Sequence, residues 1–199
     1  NLTNLKYLIF SYSQLHGQIP ASIGNLTHLT ELKLHFNHLS GEIPNGIGNM
    51  VDLTHLYLRG NQFIGGIPPE IWNLVNLDRL YLEHNQLTGE IPTEIGNLVN
   101  LRYINLKDNQ LNGEIPESIG NLTNIIGFSL SNNQLSGVIP YSICNFAQDN
   151  PYVWVYANQL CPPYPECLTD EQIDLILQGL SFDDAIKTSE TASKRKDPI

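Results

Sequence analysis

The sequence predicts an α/β repeat solenoid, in which short coils of chain stack and share one continuous apolar core. Two observations predict this fold. The first is a period of 24 residues, with segments that open at Asn1, Asn25, Asn49, Asn73, Asn97 and Asn121. The second is that each segment reads close to NLxxLxxLxLxxNxLxGxIPxxIG. A unit this short cannot bury its own apolar face, so neighbouring units must stack.

Each unit is predicted to open with a short strand. In the fourth repeat, Leu77, Leu80 and Leu82 flank polar positions, as in a strand whose alternate residues point to opposite sides. The leucines therefore face the core and the residues between them face outward. Stacked coils then form a parallel β-sheet on the concave face, with short 3-10 or irregular segments on the convex side.

The residues that recur after the strand have structural explanations. A buried amide at the turn can bond backbone groups that the turn leaves unpaired, so stacked coils should form an asparagine ladder. Its members are Asn37, Asn61, Asn85, Asn109 and Asn133. A proline in each unit fixes the backbone that leads into the outer segment. These prolines are Pro20, Pro44, Pro68, Pro92, Pro116 and Pro140.

The chain divides into four parts. Six repeats occupy residues 1–144, and an atypical seventh repeat over residues 145–168 acts as a cap. Residues 169–187 are predicted to form short helices: Thr169 and Gln172 match a capping box, and apolar residues follow at helical spacing. The second of these helices is expected over residues 181–186, and residues 188–199 read as a polar extension. The apolar helical stripe covers the last coil or docks on a partner subunit.

Three cysteines, Cys144, Cys161 and Cys167, lie near the end of the repeats, and three thiols allow one internal bridge. Counting along the coils places Cys167 one coil below Ser142. Stacking therefore favours a disulfide between Cys144 and Cys167. The alternative is a cytosolic protein with all three thiols reduced. No second cysteine or histidine pair lies at ligand spacing, so no metal site is predicted.

The LxGxIPxxIGNL block, present in six tandem copies, resembles the plant-type leucine-rich repeats of receptor kinase ectodomains, receptor-like proteins and polygalacturonase-inhibiting proteins. The resemblance implies a right-handed superhelix, an extra short strand near each LxGxIP and an extracellular recognition role. It also implies a Cys161–Cys167 disulfide, because the plant proteins end in LCGxPLPxC. The sequence departs from the family in lacking a paired-cysteine N-terminal cap, a membrane span and a kinase motif, so receptor signalling by this chain alone is not predicted. Leu2, Leu5 and Leu8 would present an apolar end, which a cap or partner should cover.

Function should lie at outward strand positions that the fold does not require. Three columns of such residues run along the concave face. The first column is Tyr7, Glu31, His55, Arg79, Tyr103, Gly127 and Tyr152. The second is Ile9, Lys33, Tyr57, Tyr81, Asn105, Ser129 and Trp154, and the third is Ser11, His35, Arg59, Glu83, Lys107, Ser131 and Tyr156. Aromatic residues and arginine concentrate in the third to fifth repeats. These residue types dominate binding hot spots. The alternative is a merely solvated sheet face. The predicted ligand-binding residues are His35, His55, Tyr57, Arg59, Arg79, Tyr81, Glu83, His84, Tyr103 and Lys107.

Charge is distributed unevenly in this acidic chain, whose net charge is −10. All six basic residues before residue 168 fall in strand segments, whereas the rest of that surface is acidic. We therefore expect a ligand with anionic groups and apolar content: an acidic peptide, a protein loop or an acidic glycan. Nucleic acid is a poor fit to the overall acidity. No apolar run approaches the roughly 20 residues that cross a bilayer, so no direct membrane insertion is expected.

Catalysis is not predicted, because no histidine or carboxylate lies with a nucleophile and an orienting partner, and no cofactor is expected. The leading interpretation is a non-catalytic recognition module, secreted or at the cell surface. N-glycosylation sequons at Asn25 and Asn121 agree with that location. However, the repeat itself places Asn-Leu at these positions, so a sequon arises whenever Thr or Ser happens to follow. The alternative is a structural subunit of a larger assembly, held through the solenoid ends and C-terminal helices.

Overall fold

The computed structural model describes residue 2, residues 4–147 and residues 152–178. The predicted second C-terminal helix over residues 181–186 and the polar extension over residues 188–199 lie outside the described residues. A third sequon, which begins at Asn1, lies partly outside them as well.

One strand of every coil joins a parallel sheet of seven strands on the concave side. Successive strands pair in register at intervals of one repeat; for example, Tyr57 pairs with Tyr81, and Arg79 with Tyr103. The strands are β1 (Tyr7–Ile9), β3 (Glu31–Lys33), β5 (His55–Tyr57), β7 (Arg79–Tyr81), β9 (Tyr103–Asn105), β11 (Gly127–Ser129) and β13 (Val153–Trp154). The predicted outward columns on these strands are confirmed by this register.

A second parallel sheet follows the asparagine turns, as the family resemblance implies, and it also has seven strands. Its strands alternate with those of the first sheet along the chain. They are β2 (His16–Gly17), β4 (His38–Glu42), β6 (Gln62–Gly66), β8 (Gln86–Glu90), β10 (Gln110–Glu114), β12 (Gln134–Val138) and β14 (Gln159–Cys161).

Short 3-10 turns form the convex side, and each one begins directly after a proline of the IP pair. The fixed proline backbone directs the chain out of the second sheet and into the turn. The turns are Ala21–Asn25, Asn45–Asn49, Pro69–Asn73, Thr93–Asn97, Glu117–Asn121 and Tyr141–Ile143. The predicted fold class, a leucine-rich-repeat solenoid with a concave parallel sheet, is confirmed.

The asparagine ladder holds each coil to the one before it. The Asn61 side-chain nitrogen donates to the carbonyl oxygens of Leu34 and Leu58, both at 3.0 Å, and its oxygen accepts from the Leu39 backbone at 3.0 Å. The same pattern recurs at Asn109 and Asn133. Because each amide satisfies backbone groups in two coils, the ladder confirms the structural reading of these asparagines.

The core is one continuous cluster that runs from Ile19 to Ile176. The inward leucines of β3, β5 and β7 are completely buried, whereas Leu8 of β1 is partly buried at the end of the stack. Phe63, Trp72 and Phe128 fill the larger spaces. No membrane-crossing candidate, meaning a long and apolar helix, occurs among the helices of the described ranges.

The last coil is closed by two short helices and a disulfide. Helix α1 (Cys144–Ala147) leads out of the sixth repeat, and Cys144 is bonded to Cys167, the pairing that stacking favours. The Cys161–Cys167 pairing implied by the family resemblance is not formed, and Cys161 is a free, exposed thiol. The reason is the stacking of successive coils, which brings Cys144 beside Cys167, with their Cα atoms 5.5 Å apart.

Helix α2 (Asp170–Gln178) begins with the predicted capping box. The Thr169 hydroxyl accepts from the Gln172 backbone at 3.2 Å, and the Gln172 side chain accepts from the Thr169 backbone at 2.9 Å. The helix buries Leu175 and Ile176 against the last coil, and Gln172 also donates to the Val153 carbonyl at 3.0 Å. This helix is the predicted helical cap.

Candidate functional site

Aromatic and basic side chains pack on one another over the first four coils. Tyr12 stacks on Phe36 with 4.8 Å between ring centroids, and Tyr57 lies 4.8 Å from Tyr81. The Arg59 guanidinium lies 5.1 Å from the centre of the Phe36 ring and 5.5 Å from that of Tyr81. We name this set the cation–aromatic cluster; it comprises Tyr12, Lys33, His35, Phe36, Tyr57, Arg59 and Tyr81.

Three members of this cluster, Tyr12, Lys33 and Phe36, were not predicted as site residues. Tyr12 and Phe36 occupy equivalent positions in successive coils, one residue before the ladder position, and both have φ of 55°. The Phe36 ring covers Gly60 in the next coil, where an added Cβ would lie 2.5 Å from the ring. A large apolar residue at a solvent-facing turn was the signal in the sequence, and the glycine one repeat later makes room for it.

Arg59 is anchored from below by a buried carboxylate. Its Nη1 atom donates to Glu83 Oε1 at 3.1 Å, and Glu83 is only 3% exposed. Burial raises the pKa of Glu83, while its own backbone amide and Arg59 act in the opposite direction. The prediction that Glu83 faces a ligand is therefore wrong: it holds Arg59 in position beneath the surface.

Two further residues of the third column are buried like Glu83. Ser131 and Tyr156 occupy the positions equivalent to Glu83, and both are buried. This column lies one residue beyond the inward leucine that follows each strand, where the chain already bends toward the asparagine turn. The other members of this column, Ser11, His35, Arg59 and Lys107, remain partly exposed.

The Asp78 carboxylate lies within ion-pair distance of three neighbouring side chains. Its Oδ2 atom lies 3.2 Å from Arg79 Nε and 3.9 Å from His55 Nε2, and its Oδ1 atom lies 3.8 Å from Arg102 Nε. Both guanidinium groups also contact the Tyr103 ring, at 4.8 and 5.9 Å from its centre. One carboxylate thus serves two arginines, so one positive charge beside Tyr103 is not balanced within this group.

In the other coils, the basic residues of the concave face are largely neutralised by acidic residues of the same face. Lys33 pairs with Glu31 at 2.5 Å, and Lys107 lies 3.6 Å from Asp108. Asp108 also pairs with His84 at 3.0 Å, and this places His84 and Lys107 together at one edge of the face. Apart from Lys6 in the first coil, the positive charge that these acids leave unbalanced on the strand face is concentrated around Arg79 and Arg102.

His35 and His55 come together through Tyr57, whose ring lies 5.7 and 5.9 Å from theirs. Burial lowers the pKa of His35, and the charges of Arg59 and Lys33 act in the same direction. Burial also lowers the pKa of His55, although Glu31 and Asp78 oppose the change. Both rings are therefore held in the neutral form at neutral pH.

The later coils carry a different feature, a cavity of about 380 Å³ on the concave face. Gly127 stands in a column where its two neighbours are Tyr103 and Tyr152. The missing side chain opens a gap between them, with Ser129 in its floor and Trp154 beside it. We name this gap the aromatic slot; it is lined by Tyr81, Tyr103, Gly127, Ser129, Tyr152 and Trp154, together with Ile104, Asn105, Ile126 and Phe128.

Only Tyr81 and Tyr103 of the slot were among the predicted ligand-binding residues. The sequence analysis assigned Tyr152, Trp154 and Gly127 to the correct columns. It selected site residues by the size of their side chains, however, and did not consider a gap between them. The signal available in the sequence was a single glycine in a column of mostly large residues.

The remaining predicted sites lie away from this face. Asn25 and Asn121 are exposed at the ends of two 3-10 turns, and their glycosylation stays a prediction. Across residues 4–147 and 152–178, no group of three or more histidine, cysteine, aspartate or glutamate side chains could hold a metal ion.

Comparison with known proteins places the chain in a family. Two family models, both described as leucine rich repeat, match residues 51–111 and residues 4–26, 28–50 and 124–146. No match was found among curated proteins.

Among solved structures, the chain is similar to the ectodomain of the Arabidopsis thaliana receptor kinase GASSHO1/SCHENGEN3 in complex with CASPARIAN STRIP INTEGRITY FACTOR 2. The identity is 37% over 83% of this chain and 20% of that one, with a TM-score of 0.78. It is also similar to the Arabidopsis receptor kinase HAESA ectodomain in complex with an IDA peptide hormone ligand. There the identity is 36% over 82% of this chain and 27% of that one, with a TM-score of 0.79.

A third similar structure, the BIR2 ectodomain from Arabidopsis thaliana, is closer in length. The identity is 34% over 64% of this chain and 67% of that one, with a TM-score of 0.56. The present chain thus spans about a fifth to a quarter of the two long receptor ectodomains and two thirds of the short one. These matches, together with the stacked LxGxIP coils, show that the chain belongs to the plant-type leucine-rich repeat family.

Proposed function

We propose that this chain is a non-catalytic recognition module that binds a peptide or protein ligand through its concave β-sheet. One observation carries the proposal: outward positions that the fold does not require hold aromatic and basic side chains that fix one another in place. Rings held by their neighbours lose little conformational entropy when a ligand binds, which favours affinity. A merely solvated face has no need for such packing.

The solved neighbours support the same conclusion. The HAESA ectodomain was solved with a peptide hormone, and a further similar structure, RGFR1, is described as a plant peptide hormone receptor in complex with RGF2. Both belong to proteins longer than this chain. Because such ectodomains are extracellular, we also propose a secreted or cell-surface location, in which the Cys144–Cys167 disulfide is stable.

The test is a capture experiment with two matched variants of the intact chain. The concave variant carries Tyr57→Ala, Arg79→Ala and Tyr81→Ala. Arg59 is left in place because its removal would strand the buried Glu83 carboxylate. The control variant carries Val99→Ala, Glu94→Ala and Tyr141→Ala, three exposed positions on the convex side.

Partners are captured from the native source and identified by mass spectrometry, after circular dichroism has shown that both variants fold. We expect a protein or peptide that the control variant retains and the concave variant loses. Loss of an acidic polysaccharide instead would identify a glycan ligand. Equal retention by all three proteins would contradict the proposal and favour a structural subunit held through the solenoid ends and helix α2.

A further inference from the structure

We propose that the aromatic slot binds one aromatic side chain of a peptide, and that the residue next to it in that peptide is acidic. The inference rests on the proposed function and names the peptide chemistry that this face selects. It assigns a role to Gly127, Tyr152 and Trp154, which the cation–aromatic cluster does not include.

The dimensions of the slot fit one flat ring. Gly127 pairs in register with Tyr103, and Tyr152 immediately precedes β13, the next strand. The Tyr103 ring leans over Gly127, with one ring carbon 3.0 Å from where a Cβ would stand, so this ring is a wall of the slot. The remaining space of about 380 Å³, bounded also by Tyr152 and Trp154, holds one aromatic side chain in contact with these rings at about 3.5–4.0 Å.

The lining explains why the ring should be aromatic. Tyr103, Tyr152 and Trp154 surround the gap with π-systems, and Tyr152 and Trp154 meet edge to face at 6.2 Å. Aromatic pairs in stacked or edge-to-face geometry gain more than their buried area alone provides. An aliphatic side chain would fill the volume without that gain.

The charges around the slot determine which peptide residue is favoured next to the inserted ring. None of the described residues that line it carries a charged side chain, whereas Arg79 and Arg102 both contact Tyr103, the wall on the N-terminal side. Asp78 is the only carboxylate paired with them in the described part of the chain. His55, the other group that faces Asp78, is held neutral by burial, which lowers its pKa.

One positive charge is thus left beside an uncharged aromatic pocket. A carboxylate on the residue next to the inserted ring would approach Arg102, whose side chain is 50% exposed. A lysine or arginine at that place would be repelled. Charge complementarity therefore favours an acidic neighbour over a basic one.

The test uses a phage library of random twelve-residue peptides, panned on the intact chain. The disrupting variant is Gly127→Val, which fills the slot. The backbone should accept this change, because the same strand position holds Glu31, His55 or Arg79 in other coils. The Tyr103 ring, which lies 3.0 Å from where the new Cβ would stand, has to turn aside. The matched control is Gly66→Val, a strand glycine of the second sheet where an added Cβ meets its nearest atom at an ordinary 3.8 Å. Thermal unfolding first confirms that both variants are folded.

We expect the selected peptides to share an aromatic residue next to Asp or Glu. A synthetic copy should bind the Gly127→Val variant at least tenfold more weakly than the unmodified chain, and bind the Gly66→Val variant within twofold. Changing the acidic residue of the peptide to its amide, or Arg102→Gln in the protein, should each weaken binding about threefold to tenfold. Quenching of Trp154 fluorescence, with buried Trp72 as the other tryptophan, reports entry into the slot.

Several results would overturn the inference. One is the absence of any enriched peptide; another is enrichment of peptides without an aromatic residue next to an acidic one. A third is binding that Gly127→Val leaves unchanged. If the concave variant Tyr57→Ala, Arg79→Ala, Tyr81→Ala then abolishes that binding, the slot assignment fails while concave-face recognition stands. If neither variant changes it, both fail for these peptides.

Discussion

The two halves of the concave face share one backbone plan but differ in how their outward residues meet. In the earlier coils, Arg59, Phe36 and Tyr81 pack together over the buried Glu83, so the surface is filled and its charges are paired. In the later coils, Gly127 removes a side chain, and the surface opens between Tyr103 and Tyr152. The binding character of this solenoid therefore depends on its outward residues, because the ladder and the core are nearly the same from coil to coil.

Removing the disulfide is expected to give the largest effect, and this effect should be confined to the later coils that carry the aromatic slot. The disulfide closes the segment that carries Tyr152 and Trp154, whereas the cation–aromatic cluster lies several coils away. We expect Cys144→Ser with Cys167→Ser to lower the free energy of unfolding by about 3 kcal/mol, the usual contribution of a bridge across a loop of this length. Urea unfolding measures the loss, and the emission of Trp154 reports the state of the slot wall.

Cys161→Ser is the matched control, because this thiol is exposed and free. It should leave both readouts near those of the unmodified chain. A double-serine variant whose Trp154 emission and unfolding midpoint are unchanged would show that the last coil is held by helix α2 and the ladder rather than by the disulfide.

The next perturbation affects the other half. Arg59→Met removes the partner of a carboxylate that is almost fully buried, and an uncompensated buried charge is strongly destabilising. Because Arg59 itself is partly exposed, we expect a loss of about 2 kcal/mol at pH 7 rather than the upper end of the range for buried pairs. Chemical unfolding measures it.

The sign of the pH dependence follows from the raised pKa of Glu83. A raised pKa in the folded state means that stability is lost as the pH rises from the unfolded to the folded value. Removing Arg59 raises this pKa further, so the penalty should shrink as the pH falls toward 4.5. Glu83→Gln should rescue the Arg59→Met variant at pH 7. Arg102→Met, an exposed partner of Asp78, should cost less than about 1 kcal/mol; an equal loss for both arginines would refute the burial argument.

The sequence was sufficient for the scaffold because every scaffold residue recurs at 24-residue intervals. Asn61, Leu56 and Pro44 could each be assigned from their position in the repeat, and the structure confirms the ladder, the inward strand position and the start of the 3-10 turn. Counting residues along the stacked coils also placed Cys144 beside Cys167, and the structure confirms this pairing.

The face was only partly predictable, because its chemistry depends on contacts between coils that do not recur. The register brought Tyr57 and Tyr81 together as predicted, but no pattern indicated that Glu83 would be covered. The slot was missed for a related reason. It consists of the space left by Gly127, and its size depends on how the Tyr103 ring leans, 3.0 Å from where a Cβ would stand.

The smallest expected effect is a pH response of the cation–aromatic cluster. Burial and the charges of Arg59 and Lys33 lower the pKa of His35 below its ordinary value near 6.5. The unfolded chain therefore takes up a proton at this ring before the folded chain does, and stability falls as the pH drops from about 6.5 toward the folded value. His35→Asn removes that proton uptake, so its unfolding temperature should fall less between pH 7 and pH 5.5 than that of the unmodified chain.

The His35 ring also accepts or donates a hydrogen bond with the Ser11 hydroxyl at 2.9 Å, which an asparagine side chain is too short to reproduce in place. The variant can therefore be less stable at every pH, and the decisive quantity is the slope of unfolding temperature against pH rather than its value. NMR titration of the His35 ring protons gives the pKa directly. A pKa at or above 6.5, or equal slopes for the two proteins, would mean that water reaches this ring freely and that the cluster is less closely packed than its ring contacts indicate.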